Sequence, residues 1–145
     1  MKTLLRAVPV AVLLTLLPST ALAEVRLGLG ADYQFYRRGL INLTLAVDGA
    51  LARHIRVGGR FGALLANGPE VGAPIDLDVR AVLGNGKVYL EGLVGPWLMF
   101  GQSDYLFHLH GAFGFGLQSS SFEFGVEVGW LDPSAIVGLR LGFRI

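Results

Sequence analysis

The chain contains no cysteine, so it forms no disulfide and carries no thiolate nucleophile or thiolate metal ligand. Lysine is almost missing: of the two in the sequence only Lys87 lies beyond the first 23 residues, against nine arginines. Charge of one sign is also missing. From Glu24 onward ten basic side chains face eleven acidic ones, which leaves no basic face for nucleic acid. No long apolar run, helical period or linker follows Glu24. The one apolar run, Ala7–Leu17, lies at the N-terminus and is too short to span a bilayer comfortably.

That N-terminal region has the layout of an export signal. Lys2 and Arg6 precede the apolar run, Pro18, Ser19 and Thr20 break it, and Ala21-Leu22-Ala23 is an A-x-A cleavage signature. The expectation is a cleaved signal peptide over residues 1–23 and a single domain over residues 24–145.

What is present is glycine, 21 residues of it, and period-two alternation of apolar and polar residues. The first segment, Val25 to Tyr36, places Val25, Leu27, Leu29, Ala31, Tyr33 and Phe35 on one face. In the second, Ile41, Leu43, Leu45 and Val47 oppose Asn42, Thr44 and Asp48. In the third, Ile55, Val57, Phe61 and Leu65 oppose His54, Arg56 and Arg60. The fourth sets Ile75, Leu77, Val79, Ala81 and Leu83 against Asp76, Asp78 and Arg80. The fifth, Val88 to Phe100, sets Leu90 and Val94 against Glu91. In the sixth, Tyr105, Phe107, Leu109, Phe113, Phe115 and Leu117 oppose His108 and His110. The seventh and eighth set Phe122, Phe124, Val126, Val128 and Trp130, then Val137, Leu139, Leu141, Phe143 and Ile145, against Glu123, Glu127, Arg140 and Arg144.

Turn chemistry falls between these segments. Asn85-Gly86 is a type I′ hairpin signal, and Arg37-Arg38-Gly39 reads as a three-residue loop with glycine in the left-handed position. Gln102–Asp104, Ser119–Ser121 and Asp132–Ser134 are polar turns, Asn67–Pro74 is the longest irregular link, and the link near Asp48–Arg53 is loosely defined. Pro96 inside the fifth segment predicts a bulge that turns Trp97 and Met99 outward.

The resulting fold class is an all-β, eight-stranded antiparallel up-and-down transmembrane barrel. A soluble lipocalin-like barrel binding an apolar ligand inside is the alternative, since it alternates too. Three features favour the membrane. The apolar face is bulky and nearly unbroken. Glycine and charge share the other face, as a narrow lumen requires. Arginine replaces lysine, as enclosed ion pairs prefer. Tyr33, Phe35, Tyr36, Trp97, Phe100, Tyr105, Phe107 and Trp130 lie near segment ends that share one rim, and form a candidate aromatic girdle.

Met1 to Ile145 resembles the small eight-stranded bacterial outer-membrane barrel families in its signal, its eight segments and its closing segment Val137–Ile145. The resemblance implies residence in the cell outer membrane, lipids as neighbours and the barrel-assembly machinery as a partner during biogenesis. Those families usually end in an aromatic residue; this chain ends in Ile145, with Phe143 two positions earlier.

Hairpin register predicts Arg80 opposite Glu91. It also predicts Glu127 with Arg140 and Glu123 with Arg144, directly or, in a register offset by two, diagonally. These six residues form a candidate lumen ion-pair network. His108 and His110 are polar or metal candidates; His54 is on a distant strand, so Glu127 or Glu123 would have to serve as third ligand, the closed ligand set is missing, and no metal and no cofactor is expected. A lipid A deacylase-like enzyme needs a His-x-Ser-Asn segment. The matching stretch is His108-Leu109-His110-Gly111, without a nucleophile beside the base. The expectation is therefore no enzyme, no wide porin, and a structural or accessory role, with oligomeric state left open.

Overall fold

The computed structural model describes residues 23–101 and 105–145. The expected signal peptide and the Gln102–Asp104 turn lie outside the described residues, apart from Ala23. Eight strands follow one another: β1 (Glu24–Gln34), β2 (Arg38–Ala52), β3 (Ile55–Ala66), β4 (Val71–Leu83), β5 (Val88–Phe100), β6 (Phe107–Gln118), β7 (Phe122–Leu131) and β8 (Ser134–Arg144). Each pairs antiparallel with its neighbour, and β8 returns to pair with β1, closing the barrel. Closure leaves no strand edge unpaired, the condition for a sheet to sit in lipid. Strands of 10 to 15 residues are long enough to cross the hydrocarbon core at a tilt.

Alternation decides which side chains face out. Leu43, Leu77 and Leu109 keep 53%, 54% and 65% of their surface exposed, while Asn42, Asp76, Asp78 and His110 between them are buried. The large apolar residues form the outer wall and the charged residues fill the interior. This is the reverse of a soluble barrel with an apolar ligand inside, and that alternative falls.

Glycine on the inner face gives the charged side chains their room. A Cβ on Gly30 would collide with the Asn42 carboxamide oxygen, and one on Gly142 with Glu123 Cγ. Both contacts are closer than real Cβ atoms allow, so a larger residue there would displace the neighbour that now occupies the lumen.

Several boundaries differ from the sequence expectation. The first loop is Phe35–Arg37, not Arg37–Gly39, and Tyr36 (φ 61°) holds the left-handed position. Gly39 already pairs with Tyr33. β2 continues to Ala52 through a register shift between Ala50 and Ala52, so His54 sits in the hairpin tip and not on the lumen face. The Asn67–Pro74 link is shorter than expected, because β4 begins at Val71 and contains Pro74. The Asn85-Gly86 hairpin has positive φ at both residues (57° and 83°), as type I′ geometry requires, and sets Arg80 opposite Glu91.

No bulge forms at Pro96. The β5–β6 ladder runs unbroken through Pro96↔Leu109, and the β4–β5 register is the same on either side of Pro96, from Pro74↔Trp97 to Leu77↔Val94. Pairing lapses only between those two pairs. A missing N–H removes a ladder bond on one side without inserting a residue, so the phase is kept. Trp97 and Met99 therefore point inward, 0% and 2% exposed, not towards lipid.

Candidate functional site

Among the described residues the densest polar contacts are in the lumen, which is stratified along the barrel axis. Nearest the rim that bears the chain termini, Arg26 of β1 is the hub. Its Nη2 lies 2.8 Å from both Asp48 and Asp78, and its Nη1 lies 3.2 Å from Glu123 and 3.5 Å from Glu91. One guanidinium therefore ties β1 to β2, β4, β5 and β7, a use of its planar multi-donor fork that lysine cannot copy. Arg80 lies beside it, with Nη2 2.6 Å from Glu123 and Nη1 3.7 Å from Glu91. Its guanidinium stacks 3.8 Å from the Tyr89 ring centre, and Nη2 donates to Gln118. Gln118 in turn donates to the Gly86 carbonyl at 2.8 Å and so anchors the network to the β4–β5 hairpin.

The middle layer is built round Arg60 and Glu127. Arg60 bridges Asp76 (2.8 Å) and Glu127 (2.7 Å), and Arg140 bridges Glu127 (2.9 Å) and Asp32 (2.6 Å). Asn42 donates to Asp32. His110 lies with Nδ1 2.7 Å from Asp76, and Trp97 Nε1 donates to the same carboxylate at 3.1 Å. The Trp97 and His110 rings are 4.4 Å apart. Above this layer the lumen turns apolar: Leu40, Leu64, Trp97, Met99, Leu131 and Ile136 form one buried cluster under the far rim. Gln34 spans it, donating to the Leu131 carbonyl at 2.7 Å. At the rim itself Arg38 pairs with Glu70. Between the charged layers a void of about 30 Å³ remains, bordered by Arg26, Arg60, Tyr89, Glu91, Glu123 and Arg140. That is room enough for water.

Of the six residues expected to form a network, Arg80, Glu91, Glu123, Glu127 and Arg140 face the lumen and Arg144 sits at the terminus-bearing rim, and the pairs are not the expected ones. Arg80 is opposite Glu91, yet its shorter contact is Glu123. The β7–β8 register is the offset one: Glu127 pairs with Gly138 and reaches Arg140 diagonally. The Glu123–Arg144 pair does not form. Arg144 Nε lies 2.7 Å from Glu24 across the β1–β8 seam, while Glu123 turns inward to Arg80 and Arg26. Arg26, Asp32, Asp48, Arg60, Asp76 and Asp78 were missed as network members. All lie on the polar face by alternation. Arg60 and Asp76 are direct partners in the β3–β4 register, and Arg26–Asp48 and Asp32–Arg140 are diagonal pairs on adjacent strands, so strand register could have found them. Arg26–Asp78 and Arg60–Glu127 reach across the lumen, where hairpin register carries no information.

The aromatic expectation divides. Tyr33, Phe35, Phe100, Tyr105, Phe107 and Trp130 are exposed at or near the far rim, whereas Trp97 is part of the lumen plug. The two histidines are not brought together as a ligand pair. His108 Nδ1 lies 2.8 Å from the Asp132 carbonyl, and His110 engages Asp76. Among the described residues no group of three or more His, Cys, Asp or Glu is arranged to hold a metal. Ser119–Ser121 occupy the β6–β7 hairpin at the terminus-bearing rim and Ser134 starts β8, so none adjoins His110 on its strand.

No protein-family model matches the chain, and no curated protein sequence matches it. Solved structures do. A de novo designed transmembrane β-barrel superposes with a TM-score of 0.64 at 10% identity, covering 84% of this chain and 95% of that one. The de novo designed TMB2.3 gives 0.54 at 16% identity, covering 88% and 98%. Ail, the attachment invasion locus protein of Yersinia pestis, solved in complex with the heparin analogue sucrose octasulfate, gives 0.53 at 16% identity, covering 86% and 99%. The chain has the fold of transmembrane β-barrels and resembles the small outer-membrane barrels at the level of architecture.

Proposed function

We propose that this chain is a small outer-membrane barrel with a structural or accessory role, exported by a signal peptide cleaved after Ala23. The observation that carries the reading is the filled interior. Trp97, Arg80, Leu40, Leu64, Met99, Leu131 and His110 are all enclosed within the lumen, where a void of about 30 Å³ lies between the charged layers. Such a barrel is neither a wide porin nor an enzyme with a substrate cleft. Its partners are the surrounding lipids and, during biogenesis, the barrel-assembly machinery. The ionic lattice joins strands that are not neighbours in the sheet and holds one cross-section for the wall.

Fractionation of cells making the full chain tests this. The mature N-terminus is expected at Glu24, in the outer-membrane fraction, with resistance to carbonate extraction and a heat-modifiable shift on a gel. Liposomes loaded with the purified protein should not swell in small sugars. An uncut chain in the inner membrane, or sugar uptake, contradicts the proposal.

A further inference from the structure

The two rims differ in charge. Among the described residues of the far rim Arg37 and Arg38 are balanced by Glu70 and Asp132, and Arg38 is paired with Glu70. Among the described side chains of the terminus-bearing rim Arg53, Arg56, Lys87 and Arg144 face one carboxylate side chain, Glu24, which Arg56 and Arg144 share. Arg56 also engages Asp48 just inside the lumen. Arg53 and Lys87 stand exposed at the tips of the β2–β3 and β4–β5 hairpins. Lys87 is the single lysine of the barrel, and a flexible ammonium at a membrane boundary reaches along the interface more freely than a fixed guanidinium.

The rim is also concave there. Lys87 and Arg144 line a recess of about 660 Å³ with Asn85, Gln118, Ser119 and Ser120, and no carboxylate lines it. Leu117, 63% exposed on the outer wall, borders the same recess. Phe122 and Phe143 pack edge to face at 5.5 Å on the adjoining wall. Cations and hydroxyls at the edge, with an apolar wall rising from them, match a molecule that is anionic at one end and hydrocarbon at the other.

We infer that the terminus-bearing rim binds the phosphate headgroup of anionic phospholipids, with Lys87 and Arg144 at the recess and Arg53 extending the positive edge. The inference rests on the membrane-barrel reading. Lys87 and Arg144 supply the charge, Ser120 is a hydroxyl donor to phosphate oxygens, and the acyl chains lie along Leu117 and the neighbouring outer face.

The test is native mass spectrometry of the full mature protein folded in a neutral detergent. Phosphatidylglycerol, phosphatidylcholine or inorganic phosphate is added to the wild type, Lys87→Gln, Arg53→Gln/Lys87→Gln and Arg144→Gln. Heat-modifiable mobility reports folding in every sample. Phosphatidylglycerol should be retained in preference to phosphatidylcholine, and the preference should fall about fivefold for each exposed charge removed. Higher ionic strength should weaken it in the wild type. Inorganic phosphate should leave it unchanged. A folded wild type that retains both lipids equally, or folded Lys87 and Arg53 variants with an unaltered preference, overturns the inference and leaves the barrel reading standing. Displacement of the lipid by inorganic phosphate assigns the recess to a free anion and also overturns it. A wild type with no heat-modifiable shift instead defeats the barrel reading.

Discussion

The upper and lower parts of the lumen solve one packing problem in two ways. Under the far rim, Leu40, Leu64, Trp97, Met99, Leu131 and Ile136 fill the cross-section by shape. Below them, Arg60, Arg26 and Arg80 fill it with guanidinium–carboxylate contacts. Trp97 joins the two, with its ring in the plug and its N–H on Asp76. Apolar packing tolerates a lost contact in proportion to the cavity left behind. A buried ionic lattice does not, because each deletion strands charges that took their solvation from the deleted partner. The lower lumen is therefore the less forgiving half.

Breaking the hub should have the largest effect. Arg26→Ala leaves Asp48, Asp78, Glu91 and Glu123 without their shared cation. We expect a loss at the upper end of roughly 3–5 kcal/mol, read by denaturant unfolding of the folded protein in micelles. A loss equal to that of an exposed arginine such as Arg37→Ala would show that lumen water already solvates the layer. In the plug, Trp97→Ala should cost about 3–4 kcal/mol through the cavity, and Trp97→Phe should recover much of it while leaving Asp76 one donor short. Equal losses for the two variants would mean that the indole N–H, and not the packing, carries Trp97's contribution. The smallest effect sharpens the geometry within the ionic half. A double-mutant cycle for Arg80 with Glu123 should give a coupling of about 1–3 kcal/mol, and Arg80 with Glu91 less than about 1 kcal/mol. The reverse ranking would contradict the across-lumen arrangement and favour the cross-strand one.

The wall of this barrel was legible in the sequence because period two is a local property. Leu27, Leu43, Leu77, Phe113 and Leu139 each declare their face from two neighbours on either side. The Asn85-Gly86 turn fixed its register for the same reason. The far half of the lumen was not legible. Leu40 and Leu64 lie on the inner face at strand ends, where an apolar residue reads the same whether it meets lipid or a plug. Trp97 was misplaced because proline was expected to insert a residue, whereas it only drops a ladder bond. The ion pairs failed in a different way. Arg26–Asp78 and Arg60–Glu127 join strands that are not adjacent, 52 and 67 residues apart in sequence. Such pairs depend on barrel diameter and strand tilt, which no hairpin count contains.

That the lumen is filled from one rim to the other is the central claim, and ion conduction tests it most directly. The mature protein, shown to be folded by its heat-modifiable shift, would be reconstituted in a planar bilayer bathed in concentrated potassium chloride. The account predicts no steady current above that of the bare bilayer, because the plug and the arginine layers leave no continuous water path. Stable ohmic steps from the wild-type protein would contradict it.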